Sequence, residues 1–307
     1  MNILVTGGFG FLGSFVVERL QQNYAEGVSI VCPRSFEYDL VDIIQTNNLY
    51  KKYKPDIVIH LAARVGGIGA NMENPGKFFY DNISMGINVV ECARQHDVKK
   101  VIFVSTVCAY PKFTPVPFKE DSMWDGYPEE TNAPYGIAKK SIMVMLQGYY
   151  SQYNLKSAVL VPTNLYGPRD HFDPSISHVI PALIKKFVDA KNNNDKEVMV
   201  WGDGSATREF LYVEDAARGI VDAIESVDSP EPINLGSGYE ISIKDLSEKI
   251  KLFLGYEGDI VFEKSKPNGQ PRRFLSTERA FNKLGWKATT DFNSGLKNTI
   301  DWYLSNS

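Results

Sequence analysis

Short runs of Val, Ile and Leu recur through the first half of the chain, separated by longer stretches with helical period. Asn2–Thr6 reads as a first strand, and a helix begins near Phe11. Residues 28–32, 56–61, 100–105 and 157–162 read as further strands. Their interiors carry few charges, as strands do when both faces are covered. Helical patterns over 77–95 and 135–153 separate the later ones. This alternation predicts an α/β chain built on a doubly wound parallel sheet.

After about Thr163 the pattern loosens. A loop rich in Pro, Asp and Ser is expected over 167–177, then a helix over 180–191 and a strand at Glu197–Trp201. Residues 210–213 and Pro232–Leu235 are expected to return to the main sheet, with a helix over 214–226 between them. From Ile243 the pattern is helix, strand and helices. The expected organisation is a large nucleotide-binding domain (1–163 and 210–236) and a smaller α/β substrate-binding domain (164–209 and 237–307). No internal repeat interrupts it.

Composition narrows the class. A chain of 307 residues, 43% hydrophobic, can bury a sizeable core. With 33 basic and 37 acidic residues, no cationic surplus points to nucleic acid or an anionic membrane as partner. Cys32, Cys92 and Cys108 are an odd number without CxxC spacing. That argues against a disulfide framework or zinc site, so no metal is expected, and for a reducing compartment. No signal-peptide pattern opens the chain, and no apolar run approaches the ~20 residues of a membrane span. A soluble, cytoplasmic protein is expected.

Thr6-Gly7-Gly8-Phe9-Gly10-Phe11-Leu12-Gly13 joins the first strand to the first helix. Gly7, Gly10 and Gly13 stand three apart, a GxxGxxG relative of the GxGxxG dinucleotide turn. Glycine there permits a sharp turn and lets the backbone approach a pyrophosphate at the helix N-terminus. A packing role alone would also use such residues, but the strand-turn-helix setting favours a Rossmann-type cofactor site. An Asp or Glu at the tip of the second strand would hold the NAD ribose. This strand ends Cys32-Pro33-Arg34, without an acid. Arg34 can instead meet a 2′-phosphate, which favours NADP(H); the competing reading has Arg34 solvated and Glu37 serving as the acid.

Tyr135 and Lys139 are four apart at the start of the 135–153 helix and so share one face. Pro134 suits the first turn, with Asn132 or Thr131 as cap. A nearby ammonium lowers a phenol's pKa from its usual ~10, so Tyr135 can protonate a carbonyl oxygen while hydride reaches the carbon. The plain alternative is a helix-surface pair. Thr106 and Cys108 follow the 100–105 strand, where ligands of parallel sheets bind. Thr106 can hydrogen-bond the same oxygen; Cys108 is either a reactive thiol or a small buried hydrophobe.

These motifs together resemble the extended short-chain dehydrogenases. Arg64-Val65-Gly66-Gly67-Ile68, Cys108-Ala109-Tyr110-Pro111-Lys112, Pro162-Thr163-Asn164-Leu165-Tyr166-Gly167-Pro168, Ser177-His178-Val179-Ile180-Pro181-Ala182-Leu183, Arg208-Glu209-Phe210 and Lys266-Pro267-Asn268-Gly269 are similar to the GDP-L-fucose synthase family over nearly the whole chain. The resemblance implies an NADPH-dependent enzyme that epimerises C3 and C5 of GDP-4-keto-6-deoxy-D-mannose and then reduces C4. It implies Cys108 and His178 as the proton-handling pair, Tyr135 as proton donor, Lys139 as its partner, and Thr106 where the family usually has Ser. It implies cofactor contacts from Gly7, Gly10, Phe11, Leu12, Gly13, Arg34, Asp39, Leu40, Leu61, Ala62, Ala63, Tyr135, Lys139, Pro162, Asn164, Leu165 and His178. It implies substrate contacts from Asn164, Lys186, Trp201, Arg208 and Asn268, and a homodimer through a four-helix interface. Besides Thr106, three features depart from the pattern: the TGGFGFLG turn, Lys186 where Arg is usual, and Asn268 where Asp is usual.

Taken alone, His178 beside Ile and Pro at a helix start is as consistent with capping or packing as with catalysis. His60, His96 and His171 have no such motif behind them, and His60 is expected to be structural. Three functional classes stay open. One is the reductive epimerase, on this sugar or on a related GDP-keto-sugar of the colitose or heptose type. The second is a redox-neutral, NAD-dependent nucleotide-sugar 4-epimerase, which needs no enolising pair. The third is a nucleotide-sugar or NADPH-binding regulator without turnover, against which the Thr106, Tyr135 and Lys139 set argues.

Overall fold

The computed structural model describes residues 1–24, 27–173, 177–266 and 268–307. Residues 174–176 of the expected 167–177 loop, and Pro267 of the Lys-Pro-Asn-Gly motif, lie outside the described residues. The first part of the chain runs β1 (Asn2–Thr6), α1 (Phe11–Asn23), β2 (Ser29–Val31), α2 (Ile43–Tyr53), β3 (Ile57–His60), α3 (Ile68–Glu73), α4 (Pro75–Gln95), β4 (Lys100–Val104), α5 (Ala133–Tyr153) and β5 (Lys156–Pro162). Then follow β6 (Asn164–Tyr166), α6 (Val179–Asn193), β7 (Glu197–Trp201), β8 (Thr207–Tyr212), α7 (Val213–Ser226) and β9 (Pro232–Leu235). The chain ends with β10 (Glu240–Ser242), α8 (Ile243–Leu254), β11 (Asp259–Glu263), β12 (Arg272–Arg273), α9 (Glu278–Leu284) and α10 (Phe292–Asn306).

Six strands form the main sheet in the order β2-β1-β3-β4-β5-β9, all parallel. Side chains alternate across it with the two-residue period of a strand. Leu4, Val58, Val101, Phe103 and Val159 enter one core with residues of α2, α4 and α5. Ile3, Val5, Ile59, Ile102 and Leu160 enter another with residues of α1 and α7. Both faces are therefore covered, which is why these strands read as continuous apolar runs. Strand order reverses at β1, so the crevice at its carboxyl end is the topological switch point where such sheets bind ligands.

The expected return of 210–213 to this sheet is corrected by the structure. Phe210–Tyr212 of β8 pairs with β6, and β8 also pairs with β10 and β12, in a separate four-stranded sheet. An apolar run looks the same in either sheet, and only the partner differs. Pro232–Leu235 does join the main sheet, beside β5. The smaller sheet, α6, α8 and α10 share a third core built on Tyr166, Ile184, Phe187, Phe210, Leu246 and Leu296. β7 and β11 pair separately, in parallel.

Candidate active site

The glycine turn is compact for a steric reason. Gly7 has φ +73°, and a Cβ there would lie 2.8 Å from the backbone nitrogen of Ala62. A Cβ on Gly13 would lie 2.0 Å from the carbonyl oxygen of Gly7. The Gly10 N–H donates to that same oxygen at 3.0 Å, and Gly10 is the N-cap residue of α1. Bare backbone therefore faces the start of a 13-residue helix, a cradle that fits a pyrophosphate. Phe11 and Leu12 continue it and pack partly against the core. Leu61 N–H donates to Thr6 O at 3.1 Å and Ala62 N–H to Thr6 Oγ1 at 3.4 Å, so the Leu61-Ala62-Ala63 segment lies over the turn. His60 is structural, as expected. Its Nδ1 lies 2.7 Å from Thr6 Oγ1 and its ring stacks on Phe103. Burial first, and then the Lys139 charge, push its pKa down to about 3, so the ring is neutral.

Arg34 is exposed after β2, with its guanidinium 3.8 Å from the centroid of the Phe9 ring. Glu37, the rival acid, accepts the backbone N–H of Arg34 at 2.9 Å. Asp39 accepts Val41 N–H at 3.0 Å, while buried Leu40 is anchored through its carbonyl by Asn88 Nδ2 at 2.9 Å. They shape the loop beside Arg34.

The catalytic candidates meet at the end of β4. Thr106 Oγ1 accepts the Cys108 N–H at 3.1 Å, closing a 3-10 turn over Val107–Ala109. The first turn of α5 rests on it: a Cβ at Gly136 would lie 2.3 Å from Cys108 O. Tyr135 is thereby buried beside Thr106 and Cys108. Asn132 stands at the N-cap but makes no capping bond; its Nδ2 donates to Glu129 at 3.1 Å, so the expected cap is corrected. The expected depression of the Tyr135 pKa is corrected too. Burial first, then Cys108, raise it, and only the Thr106 hydrogen bond lowers it. Lys139 instead donates to Val104 O at 3.0 Å and sits 4.9 Å from the Phe103 ring centroid. Burial lowers its own pKa to about 8.

Cys108 is half-buried. Arg273 Nη1 lies 3.7 Å from its Sγ. Arg273 is buried on β12, in register beside Arg208 on β8. Arg208 donates to Thr207 O at 2.7 Å and Asn268 O at 3.0 Å. Burial first and Arg273 second lower its pKa to about 9. Glu209 steadies this strand from the core by accepting Gly238 and Leu275 N–H groups at 2.8 and 2.9 Å. Sequence reasoning missed Arg273: a two-residue strand has no period, and only its place after the Lys-Pro-Asn-Gly motif hinted at a role.

His178 is the N-cap residue of α6, yet its side chain makes no capping bond, which removes the simplest structural role. Its ring is exposed. The surrounding protein first, then Arg273 and His171, hold its pKa below the usual histidine value.

Further out, Trp201 is half exposed between two ammonium groups, Lys186 at 5.8 Å and Lys266 at 5.2 Å from its ring. Lys186 also donates to Met199 O at 3.0 Å, and burial lowers its pKa. Asn268 Oδ1 accepts Asp203 N–H at 2.9 Å. That approach requires Gly202, where φ is +82° and a Cβ would meet Asn268 Oδ1 at 2.1 Å. Asn164 Nδ2 donates to Glu209 O at 3.0 Å, Leu165 packs against the main core, and Pro162 ends β5 beside Leu235. Among the described residues there is no cluster of His, Cys, Asp and Glu able to hold a metal.

A parallel sheet with a glycine cradle at its switch point and a Thr-Tyr-Lys set at the next crevice defines an extended short-chain dehydrogenase/reductase. The profile of the NAD dependent epimerase/dehydratase family matches residues 3–236, and the chain belongs to that family. It is 39% identical to GDP-L-fucose synthase 1 of Arabidopsis thaliana over 305 residues, covering 99% of this chain and 94% of that one. Among solved structures, it is similar to a GDP-6-OMe-4-keto-L-xylo-heptose reductase from C. jejuni, with TM-score 0.94, 28% identity and coverage of 100% and 98%. It is also similar to a GDP-L-fucose synthetase from Naegleria fowleri bound to NADP, with TM-score 0.90, 32% identity and coverage of 99% and 93%.

Proposed function

We propose that this chain is an NADP(H)-dependent 3,5-epimerase/4-reductase of a GDP-4-keto-6-deoxy-sugar, forming GDP-L-fucose. The observation that carries it is the packing of Cys108, Thr106 and Tyr135 together at the end of β4, with Arg273 against the Cys108 sulfur and near enough to His178 to lower its pKa. A ketone at C4 acidifies the C–H bonds at C3 and C5. The Cys108 thiolate removes such a proton, and the electron pair moves onto the C4 oxygen. Thr106 and Tyr135 hydroxyls stabilise that oxyanion. His178 returns a proton on the opposite face, which inverts the carbon. Bound NADPH supplies hydride to C4. Tyr135 gives the C4 oxygen its proton, and Lys139 holds the ribose side of the cofactor. Arg34 would meet the 2′-phosphate of the bound cofactor, with Asp39 and Leu40 bordering it and Pro162, Asn164 and Leu165 toward the nicotinamide. Trp201, Lys186, Arg208 and Asn268 hold the GDP moiety.

The test is NMR of product made in deuterated water. Cys108→Ser and His178→Ala should each lose deuterium incorporation at C3 and C5. Wild-type product with full deuterium from both variants would leave a plain 4-keto-reductase. The similarity to the C. jejuni heptose reductase supports a second reading, a sister enzyme for another GDP-keto-sugar, colitose or heptose in type. Comparing NADPH consumption across GDP- and UDP-keto-sugars separates the two, and unchanged NADPH would reveal a redox-neutral 4-epimerase.

This reading divides the chain into a dinucleotide half, residues 1–163 and 210–236 apart from β8, and a sugar-nucleotide half, 164–209 and 237–307. No described helix is long and apolar enough to cross a membrane, and the reading places the enzyme in the cytoplasm. It also includes a homodimer through α4 and α5, which expose Phe79, Tyr80, Ile87 and Val144. Met143 of α5 is buried in the monomer core and takes no part in that face. A monomeric mass by light scattering at micromolar concentration would exclude the dimer.

A further inference from the structure

The proposed reaction needs a thiolate at Cys108, and the sequence motifs name no residue that would keep one. A free thiol has a pKa near ~8.5, so at neutral pH most of it is protonated. The groups facing Cys108 come from three elements besides its own turn. Tyr135 on α5 stays protonated, because burial and Cys108 raise its pKa, so it adds no competing charge. Arg208 on β8 and Arg273 on β12 are cations. Of these, Arg273 touches the sulfur, with Nη1 at 3.7 Å.

Arg273 is not an ordinary surface cation. It is buried, and among the described residues its side-chain hydrogen bonds go to the Cys108 sulfur and the Gln270 amide, neither of them a carboxylate. Its other side-chain contact is to the neutral amide of Gln270, at 3.3 Å. Gln270 is itself fixed to Lys112 O at 2.8 Å, on the loop that continues from the Cys108 turn. Its strand neighbour in register is Arg208, a like charge that costs energy when both are buried. A buried, uncompensated cation with a hydrogen-bond donor aimed at sulfur favours an anion on that sulfur.

We propose that Arg273 is the positioning residue that keeps Cys108 in its thiolate form before substrate arrives. The guanidinium stays charged throughout, so it moves no proton itself. The thiol proton leaves to solvent, and the thiolate then takes the proton from carbon. That step breaks C–H, forms S–H and sends the electron pair to the ketone oxygen. This rests on the proposed role of Cys108 as base, and it adds what makes that role available at neutral pH.

The experiment is iodoacetamide alkylation of the substrate-free protein across pH, with the Cys108 peptide followed by mass spectrometry. This separates it from Cys32 and Cys92, the other free cysteines. The wild-type midpoint should lie well below ~8.5. Arg273→Gln should raise it by about 1–2 pH units, and Arg273→Lys by less. Binding of 2′,5′-ADP reports whether each variant keeps its cofactor half. An unchanged midpoint in an Arg273→Gln protein that still binds 2′,5′-ADP overturns the proposal. If that variant does not fold, thiolate absorbance near 240 nm, wild type minus Cys108→Ser, gives the midpoint directly; a value at or above ~8.5 overturns it as well. Failure of the base role has a different signature: Cys108→Ser would keep solvent exchange on the sugar.

Discussion

The proposed cofactor and substrate sides of the site are built in different ways. The cofactor side is local: Gly7, Gly10 and Gly13 act within one turn, and their neighbours at Ala62 and Arg34 sit at the tips of adjacent strands. The substrate side is gathered: Cys108, His178, Arg208 and Arg273 come from four distant segments. A local cradle depends on backbone shape, whereas a gathered centre depends on charge placed against charge. The first should therefore fail by steric change and the second by chemical change, even when the volume altered is small.

The largest expected effect tests the junction of the two. Tyr135→Phe removes one oxygen and should slow NADPH oxidation by about 10²–10⁴. Deuterium exchange at C3 and C5 should survive. Near-normal oxidation in a stopped-flow assay would overturn the proton-donor role. Next, Arg34→Ala should weaken NADPH binding by about tenfold to a hundredfold while sparing NADH, because the hydrogen bonds lost are charge-assisted. Equal losses, measured by calorimetry, would show that Arg34 does not read the 2′-phosphate.

Gly13→Ala sharpens the steric side. One methyl group facing Gly7 O at 2.0 Å forces backbone to move, and about 1–3 kcal/mol of stability should be lost. Thermal denaturation showing wild-type stability would mean the turn has slack. The last effect is read as a slope, and it concerns pH. His60 has a folded pKa of about 3 against an ordinary ~6.5, so the unfolded chain binds the extra proton in that window. Its contribution is complete above ~6.5 and is lost as pH falls toward 3, by at most about 1.4 kcal/mol per unit. His60→Asn should flatten that part of the stability profile, measured by urea denaturation. An equal slope in both proteins would move the acid sensitivity elsewhere.

The same contrast explains what the sequence disclosed. The main strands showed because burial on both faces makes continuous apolar runs, and Tyr135 and Lys139 showed because helical spacing is fixed. Helix α2 was not visible: Ile43 and Ile44 are exposed while Thr46 is buried, so its apolar period is blurred. Its start is set instead by Asp42, whose carboxylate accepts the Ile44 and Gln45 N–H groups. β8 was legible as a strand but not its sheet, since pairing partners leave no mark on a short apolar run. Arg273 was hidden because its importance lies in a contact with Cys108, 165 residues away in sequence. Lys139 shares a helix face with Tyr135 by spacing, but its burial and its hydrogen bond to the Val104 carbonyl leave no trace in that spacing.

Gly136 gives this arrangement a history it can and cannot have. Because the start of α5 rests directly on the Cys108 turn, Tyr135 and Cys108, the proposed proton donor and the proposed base, share one wall. A side chain at Gly136 would displace both together. The two half-reactions can thus be lost separately only through the reacting side chains themselves, never by gradual drift of the backbone between them. A descendant that only reduces is one substitution away at Cys108. A descendant that repositions its base while keeping its reductase geometry would have to rebuild the wall first.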